Sequence, residues 1–126
     1  MIPIGYDGEV WFRYEEFLMQ DRVIVQRREF PVVRHTPKGV QLNIGLGTTR
    51  LVLHGSHKKF ACATDAEARH SFKARKRRQG LLLERQLATV KAALVAIDSE
   101  MTDGLIPRWE ARLPVVEVKV WTNRLN

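Results

Sequence analysis

The sequence predicts an α+β fold: an antiparallel β-meander followed by one long amphipathic helix and a C-terminal strand. Three observations carry the prediction. Apolar and polar residues alternate with period two through much of the first half. A capped helix start at Thr64 opens a stretch free of proline until Pro107. Alternation then returns at Val116, Val118 and Val120. At 126 residues the chain has the length of one domain, since single domains commonly run ~100–150 residues. The expected division is a β-rich part over residues 1–63, the helix over 64–99, and a return segment with its strand over 100–126.

In chain order, Val10-Trp11-Phe12 and Val23-Ile24-Val25 are the first strand candidates, although Trp11–Met19 is also compatible with a helix. Phe30–His35 is the next, and the turn signal Pro37-Lys38-Gly39 closes it. Val40, Leu42 and Ile44 alternate with Gln41 and Asn43, as in a half-buried strand. Gly45-Leu46-Gly47-Thr48-Thr49 reads as a hairpin connection into Leu51 and Leu53. Lys58-Lys59-Phe60-Ala61-Cys62 is a short fifth candidate.

The helix begins at a Thr64-x-x-Glu67 capping box, and Asp65 and Glu67 suit the positive end of its dipole. A run from Asp65 to about Ser99 would be on the order of 50 Å long. Gly80 is a candidate break, at roughly 1 kcal/mol relative to alanine. Leu83, Leu87, Val90, Leu94 and Ile97 recur at spacings of four and three, the seam of a coiled coil, and Phe72 extends the stripe upstream. Leu81, Ala88, Ala92 and Val95 form a second apolar face. Two apolar faces need two partners: the sheet on one, and on the other either the C-terminal segment or a second copy of the chain. A helix longer than its own domain favours the second copy, which predicts a homo-oligomer joined through the long helix.

Charge is concentrated. The formal net charge is +7, yet residues 30–83 hold eleven Lys and Arg against Asp65 and Glu67, while the remainder is slightly acidic. A localised positive field points to an anionic partner. The candidate ligand-binding residues are Lys58, Lys59, Arg69, Lys73, Arg75, Lys76, Arg77 and Arg78, with Arg50 on the same surface. Guanidinium forks and clustered ammonium groups bind phosphate and displace its counterions. A solvated helix face, or a contact to an acidic protein surface, is the bland alternative. Lys76 shares the stripe of Phe72 and Leu83, so this part of the seam is expected to open into a polar space.

Other chemistry finds little support. The single cysteine, Cys62, rules out a disulfide scaffold and a Cys-rich zinc site. His54, Ser56, His57 and Cys62 sketch a metal or nucleophile site without a fourth ligand or an orienting acid, so no metal is expected. Gly45–Arg50 lacks the Gly-Lys-Ser/Thr and following helix of a phosphate loop. Trp11, Trp109 and Trp121 lie outside the basic block, which weakens a base-stacking role. No catalysis and no cofactor are predicted. The longest apolar run, Ala92–Ile97, is far short of the ~20 residues that span a bilayer, and with no basic then apolar segment before Asp7 no secretion signal is expected. A soluble intracellular protein with no membrane partner is expected.

Several segments carry a likeness: Phe30–Val40, Lys58–Thr64, Ser71–Lys76, Gln79 and Leu83–Leu87. Over roughly residues 28–95 the chain resembles a group of small phage and prophage accessory proteins, which carry a strand, a capped helix start and an Arg/Lys-rich helix in that order. The resemblance implies a setting in the cytoplasm of a bacterial host, where small non-enzymatic phage proteins often block antiviral defences. The expected function is sequestration of an anionic, nucleotide-type ligand. Two alternatives stay open: an anti-CRISPR-like inhibitor that docks on a host defence protein, and a phage regulatory protein that binds DNA or RNA.

Overall fold

The computed structural model describes residues 8–114, so the strand expected over Val116, Val118 and Val120 lies outside the described residues. The fold is α+β. Four antiparallel strands form a meander in the order β1-β2-β3-β4, and one long helix follows. The elements are β1 (Val10–Met19), β2 (Arg22–His35), β3 (Gly39–Gly45), β4 (Thr48–Leu53) and α1 (Asp65–Ile97).

Trp11–Met19 is a strand. It pairs with β2 in an unbroken register from Val10 opposite Pro31 to Met19 opposite Arg22. Val23–Val25 and Phe30–His35 are therefore parts of one strand, joined through Gln26-Arg27-Arg28-Glu29. The long stems of those four residues suit a ladder whose partner side chains sit directly opposite. Pro31 has no amide to donate and lies next to the register shift between Val32 and Arg34, where a central strand tolerates proline. Beyond that point no third strand joins the β1–β2 ribbon among the described residues, and Phe17, Leu18, Met19, Val23, Ile24 and Val25 are exposed near its tip.

Between β3 and β4, Gly45, Leu46 and Gly47 all have positive φ (107°, 53° and 74°), the left-handed geometry of a tight hairpin. The core lies on one face of the meander. Trp11, Phe30, Val40, Leu42, Val52 and Ala61 are buried there, with Val32, Ile44 and Phe60 packed against them. Of the short fifth strand expected over Lys58–Cys62, only Cys62 pairs. Its N–H and C=O both bond Phe12 at 2.8 Å, closing part of the free edge of β1. Upstream of it the Phe60 carbonyl accepts from Arg13 Nη1 and the Phe60 ring packs on Phe30, so side chains and not a ladder hold the segment, and the cap at Thr64 ends the pairing beyond Cys62.

The described residues divide after Ala74 into two compact units. Helix α1 runs 33 residues without interruption. Gly80 is buried and does not break it, because good helix formers on either side outweigh one glycine. In the second unit Gly80 and Ala88 are buried, and Leu81, Glu84, Ala92 and Ala96 half-buried. The seam of Leu83, Leu87, Val90, Leu94 and Ile97 is 49–64% exposed. After α1, Thr102 and Arg108 form an isolated bridge. No helix among the described residues is long and apolar enough to cross a membrane.

Candidate anion-binding surface

Period-two alternation determines what each face of the β1–β2 ribbon carries. Trp11 stands opposite Phe30 on the core face, so the next pair on that face, Arg13 opposite Arg28, places two guanidinium groups side by side. Directly opposed like charges repel. Glu15 relieves this by accepting from Arg13 Nε at 3.1 Å and from Arg28 Nη1 at 3.4 Å. Arg13 Nη1 also donates to the Phe60 carbonyl at 2.8 Å.

From β4, Arg50 joins the same face, opposite Leu42. The Phe30 and Phe60 ring centroids lie 5.1 Å apart. Arg50 and Arg13 sit 4.3 and 4.8 Å from the Phe60 centroid, and Arg28 lies 4.9 Å from that of Phe30. Three cations thus surround two phenylalanines with one carboxylate among them. Arg50 is exposed and has no ion-pair partner among the described residues. Stacking holds a guanidinium plane in place while leaving its N–H edge free to grip a phosphate or carboxylate in bidentate fashion. Lys58, exposed, and Lys59, half-buried, lead directly into Phe60 and add charge to this unit.

The opposite face of the ribbon holds the helix start. Tyr14 stands opposite Arg27 there. The Tyr14 hydroxyl and Arg27 Nη1, the latter at 3.2 Å, donate to Asp65 Oδ1, and Arg69 Nε donates to Oδ2 at 2.9 Å. Arg69 lies 5.3 Å from the Tyr14 ring centroid, and the Phe72 ring packs 6.3 Å from it. Hydrogen bonds from Tyr14, then Arg69, hold the Asp65 carboxyl down at about 2, and the same Asp65 raises the Tyr14 phenol above its ordinary value. The capping box forms next to it: Thr64 Oγ1 donates to Glu67 Oε1 at 2.9 Å and accepts from the Glu67 amide at 3.2 Å.

The predicted ligand-binding residues therefore have different surroundings. Arg69 is engaged with Asp65 and Tyr14. Lys73 and Arg78 are exposed, and Arg75, Lys76 and Arg77 are half-buried. Lys76 Nζ donates to Gln79 Oε1 at 2.8 Å. Sequence reasoning missed Arg13 and Arg28. The signal that places them, their two-residue offsets from Trp11 and Phe30, acquires meaning only once β1 and β2 are in register. Cys62 is buried, His54 and His57 are exposed, and no group of three metal-ligating side chains comes together among the described residues. The chain matches no protein-family model, no curated protein and no solved structure.

Proposed function

We propose that the protein is a non-enzymatic binding protein that sequesters a nucleotide-type anion on the arginine–phenylalanine face of its sheet, acting for a phage against the antiviral defence of its bacterial host. The observation that supports this reading is Arg50, an exposed guanidinium stacked on Phe60 beside Arg13 and Arg28, with its donor edge uncommitted. Its plane suits a base and its fork suits a phosphate. Lys58 and Lys59 extend the positive surface, and Lys73 adds to the positive charge of the same unit. The phage setting rests on the likeness over residues 28–95.

Fluorescence anisotropy with labelled ATP and a labelled oligothymidylate tests the reading. Arg50→Gln should weaken nucleotide binding about tenfold or more, the usual worth of a lost charge-assisted hydrogen bond. The joint variant Arg69→Gln, Lys73→Gln, Lys76→Gln and Arg77→Gln should weaken it less. If only the oligonucleotide binds, with log affinity falling about 0.7 per phosphate contacted per decade of salt, the protein is a nucleic-acid binder instead. If neither probe binds and a host defence protein is captured, the docking alternative replaces sequestration.

A further inference from the structure

The helical seam of the second unit is an apolar surface with a legible charge pattern along one side. Leu83, Leu87, Val90, Leu94 and Ile97 are each about half or more exposed. Together they leave on the order of 500 Å² of apolar area in water, close to the apolar share of the ~800 Å² that each partner buries in a standard interface. Contiguous apolar patches of that size mark interaction sites on soluble proteins. One residue after Lys76, Leu83, Val90 and Ile97 come Arg77, Glu84, Lys91 and Asp98, so these four charges flank one side of the seam in alternating sign. None of the four has an ion-pair partner among the described residues.

We propose that a second copy of this chain covers the seam in antiparallel orientation, with Leu87 of each copy level with Val90 of the other and Leu83 level with Leu94. In that register the flanking charges meet as Glu84 with Lys91 and Arg77 with Asp98, each pair occurring twice by the two-fold symmetry. Sliding one copy by a heptad in either direction destroys the match. One slide sets Glu84 against Glu84 and Arg77 against Lys91; the other sets Lys91 against Lys91 and Glu84 against Asp98. A parallel pair gains nothing, because its flanks bring Gln79 to Glu84, Gln86 to Lys91 and Ala93 to Asp98. In this register Leu83, Leu87, Val90 and Leu94 meet one another, and every flanking charge finds its opposite. Antiparallel helix dipoles favour the same arrangement. This assembly does not depend on the anion-binding reading, since no residue of the arginine–phenylalanine face takes part.

Sedimentation velocity on the full chain tests the proposal. The parent should sediment as a dimer, and Leu87→Glu with Val90→Glu as a monomer with unchanged far-UV circular dichroism. Lys91→Glu, on the exposed flank, should raise the dimer dissociation constant about tenfold by turning two attractive pairs repulsive. Adding Glu84→Lys to it should restore the parent value. A monomeric parent, an oligomer other than a dimer, a Lys91→Glu dimer as tight as the parent, or a double variant as weak as the single one would each overturn it. The charge variants decide the matter even if the double glutamate variant fails to fold.

Discussion

Gly39 offers a sharp test of the sheet. It is buried at the start of β3, opposite Leu53, with a φ outside the left-handed range, so alanine has no conformational objection there. Space is the objection. A Cβ on Gly39 would lie 2.2 Å from the Val52 carbonyl oxygen, 2.9 Å from its carbon and 3.0 Å from Leu53 Cα, all of them backbone. Ordinary contact needs the β3 and β4 backbones to part by about 1 Å, next to the buried pair Val40 and Val52 and the His54 to Lys38 bond that closes the ladder. Overpacking of this kind costs ~1–3 kcal/mol, and the stiffer unfolded chain returns only ~0.4–1. Gly39→Ala should therefore destabilise the protein by roughly 1.5 kcal/mol and lower Tm by about 4–7 °C. Gly55→Ala is the matched control, because a Cβ there meets nothing within 4 Å; it should gain ~0.5 kcal/mol. Urea denaturation followed by tryptophan fluorescence, to which buried Trp11 contributes, measures both. If Gly39→Ala is as stable as Gly55→Ala, the strand pairing described above is wrong.

Asp65 makes stability pH-dependent at the acid end. Its carboxyl titrates at about 2 in the folded chain against an ordinary 3.8, so its contribution is complete above about pH 4–5 and is lost as pH falls through about 2. Thermal melts should show the parent losing its advantage over Asp65→Asn across that window; a constant difference would refute the network with Tyr14 and Arg69. Thr64→Ala removes the helix cap and should cost about 1 kcal/mol in urea titrations, with no cost if the box is ornamental. Leu46, exposed at φ 53°, sits where a branched apolar side chain is strained. Leu46→Asn should stabilise by roughly 1 kcal/mol by the same measurement, and a loss would contradict the turn geometry.

The meander was legible because alternation, the Gly45–Gly47 turn and the Thr64 cap are local signals, each readable within a few residues. The extent of β1 and β2 was not. Gln26–Glu29 are polar and say nothing by themselves; they become a strand because β1 lies alongside, a pairing decided at long range. The same gap hid Arg13 and Arg28, whose convergence depends on register. In α1 the two apolar faces were visible, but spacing alone ranked the leucine seam no differently from the smaller residues. Packing in the second unit takes Gly80 and Ala88 and leaves the larger side chains outside. The positive block drew attention to the helix, yet Arg69 there is committed to Asp65, while the sheet presents the less encumbered cation, Arg50.

Native mass spectrometry of the protein purified from bacterial cells under non-denaturing conditions bears most directly on whether the sheet face holds an anion. The parent should carry a phosphate-containing small molecule at a defined stoichiometry, and Arg50→Gln should emerge largely empty while folding normally. Equal occupancy in both proteins, or none in the parent, would contradict the assignment of the arginine–phenylalanine face as the binding site.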